Sequence, residues 1–123
     1  MQVRRQIVLE APVDEVWEAI TDPEQLAGWF ANEVELDVRE GGGGWFRWAN
    51  GETREASVDT VEPHRRLGFT WAEPGEDASR VDLTLEEEAD GATRLTVVES
   101  APESHAEWSW ALSLHAAALS ARV

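Results

Sequence analysis

From residue 33 to residue 99 the chain repeats with a period of two, and turn-forming residues cut that stretch into short pieces. Few folds accept such a pattern. Each piece can offer apolar side chains to one face only, so successive pieces must pair as antiparallel strands over a shared core. Val34, Leu36 and Val38 alternate with Glu33, Glu35, Asp37 and Arg39, and further strands read over residues 45–48, 55–61, 67–71, 81–85 and 93–99. Turn signals separate them at 40–44, 49–52, 62–64, 73–77 and Asp90-Gly91. Six strands joined by short turns predict an antiparallel meander.

The flanks follow other rules. Residues 3–10 alternate and read as a strand that joins the edges of the meander. Val13, Val16, Trp17 and Ile20 then fall on one face of a helix, with Pro12 in its first turn and Asp14 and Glu15 at its positive end. Asp22-Pro23-Glu24-Gln25 is a second helix start, with Asp22 as cap, Pro23 at the first helical position and Leu26, Trp29 and Phe30 as the apolar face. Residues 103–121 return to the helical period, and Trp108, Leu112, His115 and Leu119 share one stripe. A helix of that length is about 25 Å long. The expected order is strand, two helices, six strands, helix. This is an α+β arrangement in which a curved antiparallel sheet wraps around the long C-terminal helix. The two short helices close one end as a lid, with Trp29 and Phe30 where a cavity would open.

Composition sets the partners. A chain of 123 residues reads as one domain, 1–123, able to bury about two-thirds of its unfolded surface. It has no Cys, which removes disulfides, thiolate nucleophiles and zinc-thiolate sites. Its net charge is −15 and its ten basic residues are all Arg, which argues against nucleic acid and against anionic membranes. No apolar run approaches the roughly 18 residues of a membrane span. The stretch after Arg4-Arg5 is too short for a signal peptide, so a soluble cytoplasmic protein is expected. The acidity fits a solvated surface or a salt-adapted host, and composition does not separate the two.

Candidate chemistry is sparse. The run Gly41 to Gly44 lacks the Lys-Ser/Thr of a phosphate loop and reads as a flexible turn before a strand. His105, Glu107 and His115 are not at metalloprotease spacing, His64 beside Pro63 is a turn residue, and no metal or cofactor is expected. Ser57, Ser79 and Ser113 have no adjacent base, and no catalytic residue is assigned. The aromatic residues are more informative. Trp45 and Arg47 point to one face of their strand, Phe46 and Trp48 to the other, and Phe69 shares a face with Leu67 and Trp71. Seven Trp exceed what a core of this size normally uses, because indoles leave irregular space and need partners for their N–H. They suit a cavity lined by Trp29, Phe30, Trp48, Phe69, Trp71, Trp108, Leu112 and Leu119, with Arg47, Arg54, Glu99 and His115 as polar anchors. A buried pair of Arg47 or Arg54 with Glu99 is the structural alternative.

The stretches "IVLEAPVDEVWEAITDPEQLAGWF", "VREGGG", "VEPHRRLGFTW" and "DGATRLTV", followed by a Trp/Leu-rich C-terminal helix, are similar to the START-related SRPBCC superfamily. The branch they resemble is named after the activator of heat-shock-protein-90 ATPase. The resemblance implies a helix-grip fold around a hydrophobic cavity. Where the last strand of the family often ends in His, this chain has Glu99, and the segment 100–107 is short. Three functions stay open. The first is binding of an apolar or aromatic small molecule without chemistry, which demands least. The second is a co-chaperone acting on a heat-shock-protein-90-type ATPase, and the third a polyketide cyclase or hydrolase using His115 or Glu99. A chaperone or a second copy of the chain are the alternative partners.

Overall fold

Alternation in the sequence becomes a seven-stranded antiparallel sheet in the computed structural model, which describes residues 2–100 without the side chains of Val3 and Trp29. The helix expected over 103–121 lies outside the described residues, and with it Trp108, Leu112, His115 and Leu119. The described elements are β1 (Gln2–Leu9), α1 (Val13–Thr21), α2 (Pro23–Trp29), β2 (Glu33–Leu36), β3 (Gly43–Arg47), β4 (Thr53–Glu62), β5 (Arg66–Ala72), β6 (Ser79–Glu87) and β7 (Thr93–Ser100). The sheet order is β1-β7-β6-β5-β4-β3-β2, so strands β2 to β7 form the expected meander. This curved antiparallel sheet, with two helices inserted after its first strand, is of the helix-grip class. One correction concerns β1, which pairs with β7 alone and leaves β2 as the opposite edge, so the two edges are not joined through it. No helix among the described residues is long and apolar enough to cross a membrane.

The helices start where their capping chemistry dictates. Asp22 Oδ1 accepts a hydrogen bond from the Glu24 N–H at 3.1 Å, and Pro23 opens α2, where its missing N–H costs nothing. In α1 Pro12 is the cap residue rather than a member of the first turn, and Val16, Ala19 and Ile20 form the buried stripe. The expected flexible turn at 41–44 is partly strand. Gly43 and Gly44 belong to β3, and a Cβ on Gly44 would lie 2.0 Å from the Glu35 carbonyl oxygen. Glycine there lets β2 and β3 approach.

Strands β4 to β7 each turn one set of side chains inward: Arg54, Ala56 and Val58 from β4, Leu67, Phe69 and Trp71 from β5, Ser79, Val81 and Leu83 from β6, Leu95, Val97 and Glu99 from β7. A register shift in β4 between Val58 and Thr60 bends the strand and sharpens the curvature. The outer face carries charge. Arg80 hydrogen-bonds Asp59 and reaches Asp82 at 3.1 Å, while Arg66 reaches Asp82 at 2.8 Å. The group lies over Gly68, where a Cβ would come within 2.6 Å of Arg80 Nη2. The hydrogen bond from Arg80 holds the Asp59 carboxyl below its ordinary range.

Candidate functional site

The concave face of the sheet divides into an apolar field and a polar end. Among the described residues the field is lined by Ile20 of α1, Leu26 of α2, Phe30 at its C-terminal cap, Leu36, Phe46, Leu67, Phe69, Val81, Leu83, Leu95 and Val97, every one of them apolar. They surround a cavity of about 20 Å³, close to the space of one water molecule. The aromatic members are tightly engaged. Phe30 stacks on Trp71 at 5.6 Å between ring centroids with the planes 9° apart, and Phe46 meets both edge-on, at 5.2 Å and 5.6 Å. Trp48, half-buried, donates its indole N–H to the Phe30 carbonyl at 3.1 Å, which fixes the end of α2 against the sheet.

The polar end follows from register. Trp71 faces Ser79 across β5 and β6, and Val81 faces Glu99 across β6 and β7, so three inward residues meet at one corner. Glu99 is 1% exposed. Its Oε2 accepts from Trp71 Nε1 at 3.2 Å and from Ser79 Oγ at 3.0 Å, whereas its Oε1 is buried without a hydrogen-bond partner among the described residues. Arg54, equally buried, places its guanidinium 5.1 Å from the Trp71 ring centroid, with Nη2 3.9 Å from Glu73 Oε1. Burial pushes the Arg54 guanidinium below its ordinary value, and the charges of Glu73, Glu52 and Glu99 pull the other way. Burial also raises the Glu52 carboxyl, helped by Glu73 and opposed by Arg54.

Of the residues expected from the sequence, Phe30, Trp48, Arg54, Phe69, Trp71 and Glu99 meet on or beside this face. Trp29 belongs to α2, but its side chain is outside the described set. Arg47 is corrected. It lies exposed on the outer side, 2.9 Å from Glu33 Oε2 and stacked over Trp45 at 4.7 Å, because its neighbour Phe46 takes the inward position in β3. Arg54 and Glu99, the structural alternative of a buried pair, are both buried, Arg54 with Glu73 at 3.9 Å and Glu99 with Ser79 at 3.0 Å, in one wider cluster. Ser79 has no adjacent base in the sequence, and its place two residues before inward-facing Val81 is the signal that puts it in this corner. His64 is an exposed turn residue with φ of 65°. Among the described residues no group of three His, Asp or Glu could hold a metal ion.

A wider surface groove of about 460 Å³ lies between Val8–Pro12 and Ala89–Ala92. It sits at the end of β7 away from Glu99, and its carboxylates, Glu10 and Asp90, are exposed.

Comparison with known proteins fits this geometry. The profile of the family described as activator of Hsp90 ATPase homolog 1-like protein matches residues 10–116. DynU16, from the dynemicin biosynthetic locus, is 35% identical with a TM-score of 0.87 over 97% of this chain and 45% of its own. This chain therefore spans less than half of that protein. CalU16 from Micromonospora echinospora is 34% identical with a TM-score of 0.75, over 97% of this chain and 76% of that one. The Aha1 dimer of Colwellia psychrerythraea superposes with a TM-score of 0.83 over 98% of this chain and 93% of that one, and at 16% identity it shows the fold alone. No curated protein matches the chain.

Proposed function

The chain belongs to the family of activator of Hsp90 ATPase homolog 1-like proteins, within the START-related SRPBCC superfamily, and from that premise we propose that it binds an apolar, aromatic small molecule on the concave face of its sheet. The observation that carries the reading is a lining that is wholly apolar among the described residues, with the buried polar groups Glu99 and Arg54 on the same face of the sheet, the usual form of a small-molecule site. A binding domain needs no further chemistry, and no reacting pair is assigned. The profile match over residues 10–116 supports reading 1–123 as one domain.

The cavity, about 20 Å³ as it stands, is far below the roughly 300 Å³ at which ligand pockets begin. Entry therefore requires the end of α2 to part from the sheet, breaking the Phe30–Trp71 stack and the Trp48 hydrogen bond to the Phe30 carbonyl. The occupant exchanges ring contacts made by Phe30 for its own, which favours a flat aromatic body over a branched aliphatic one.

Calorimetric titration with 2-methoxynaphthalene tests the proposal. Saturable one-to-one binding is expected, and Leu83→Trp, which fills the lining, should weaken it at least tenfold at a stability cost of about 1–3 kcal/mol. Phe30→Ala, which removes the obstructing ring, should tighten it. Absence of saturable binding to wild type and to Phe30→Ala would overturn the reading and leave an interaction domain, in line with the co-chaperone function of the family name.

A further inference from the structure

Glu99 does only half of what a structural carboxylate does. Trp71 and Ser79 both donate to Oε2, which fixes the plane of the group, while Oε1 is buried with no donor among the described residues. Buried acceptors are almost always satisfied, and an unmet one on a carboxylate is costly. Solvent does not supply the bond, because the residue is 1% exposed. A water in the cavity would find no second partner among its described lining residues, which are all apolar. Glu99 is not itself a lining residue, but its neighbours on the inward face are. Glu99 follows Val97 on the inward face of β7 and pairs with Val81 on β6, and both valines line the cavity. Trp71, which holds Glu99, stacks on Phe30, the aromatic residue at the lid.

Building on the ligand-binding reading, we infer that the ligand carries a hydrogen-bond donor, a hydroxyl or an N–H on its aromatic body, and that Glu99 Oε1 accepts it at the polar end of the cavity. The aromatic body replaces Phe30 against Trp71 and Phe46, and its donor meets Glu99 Oε1. An anionic head group such as a fatty-acid carboxylate would instead face Glu99 across an apolar medium, where like charges repel strongly. The site selects a neutral phenol-like molecule over a carboxylic acid of the same size.

Two matched probes, 2-naphthol and 2-methoxynaphthalene, separate this inference from the reading beneath it. The ether is the more apolar, so burial alone favours it. A bond to a charged acceptor should make wild type prefer 2-naphthol by about tenfold. In Glu99→Gln the Trp71 and Ser79 donors hold the amide oxygen at the Oε2 position and leave the NH₂ where Oε1 was. The preference should then fall below about twofold, with the ether still bound. Equal affinity of wild type for the two probes, or an unchanged preference in Glu99→Gln, overturns the donor inference while ligand binding stands. Binding of neither probe, to wild type or to Phe30→Ala, takes down the ligand reading itself. The comparison of the two probes on wild type needs no variant, so it decides the matter even if Glu99→Gln fails to fold.

Discussion

At the scale of single residues, the polar end of the concave face is a set of charges held under opposing demands. Arg54 is buried and kept by carboxylates around it, of which Glu73 is the strongest influence. Glu52 has the complementary problem, since burial and Glu73 raise its carboxyl above the ordinary 4.5 in spite of Arg54. A raised acid binds its proton more tightly in the folded chain than in the unfolded one. Its contribution to stability is therefore complete below the unfolded value and is lost as pH rises through the folded one. Glu52→Gln removes that loss. Urea denaturation from pH 4 to pH 8 should show the variant gaining on wild type as pH rises, and coinciding with it at the acid end. A constant difference across the range would mean that Glu52 acts through packing instead of through its charge.

At the scale of elements, the lid depends on its cap. Asp22→Ala removes the acceptor of the Glu24 N–H and should cost about 1 kcal/mol, within the usual 0.5–2 for a lost helix cap. Hydrogen exchange should locate that loss in residues 23–30, and unchanged protection there would contradict the cap. Such local devices were legible in the sequence because each rests on neighbouring residues. The period-two runs gave the strands, and Asp22-Pro23 gave the start of α2. Strand ends ran further than the apolar runs, as in β4, because ladder hydrogen bonds continue past the last buried side chain. The polar corner was harder to see. Ser79 and Glu99 are separated by 20 residues and meet through the register of β6 with β7 and of β5 with β6, which no local pattern encodes. Arg47 shows the converse error, because the alternation that sends Phe46 inward sends Arg47 out, and its charge suggested an anchor that its position denies. The size of the cavity was also illegible, since the same Trp-rich composition can fill a core or line one.

At the scale of the whole molecule, charge and cavity make separate claims. With 25 acidic and ten basic residues, even one-to-one pairing leaves 25 − 10 = 15 carboxylates without a cation. Their mutual repulsion should weaken as the screening length falls from about 30 Å at 0.01 M salt to about 8 Å at 0.15 M. The Tm is therefore expected to rise between 10 mM and 500 mM NaCl. A flat profile would show that networks such as Asp59–Arg80–Asp82–Arg66 already compensate the excess. The central claim is that the concave face takes up a small aromatic molecule. Heteronuclear NMR of the full chain titrated with 2-naphthol tests it most directly. Saturable shifts should gather at the amides of Phe69, Val81 and Val97 and at the Trp71 indole N–H, with the end of α2 moving in step. Shifts that fail to saturate, or that gather on the outer face around Arg80 and Asp82 or in the groove by Val8 and Asp90, would contradict it.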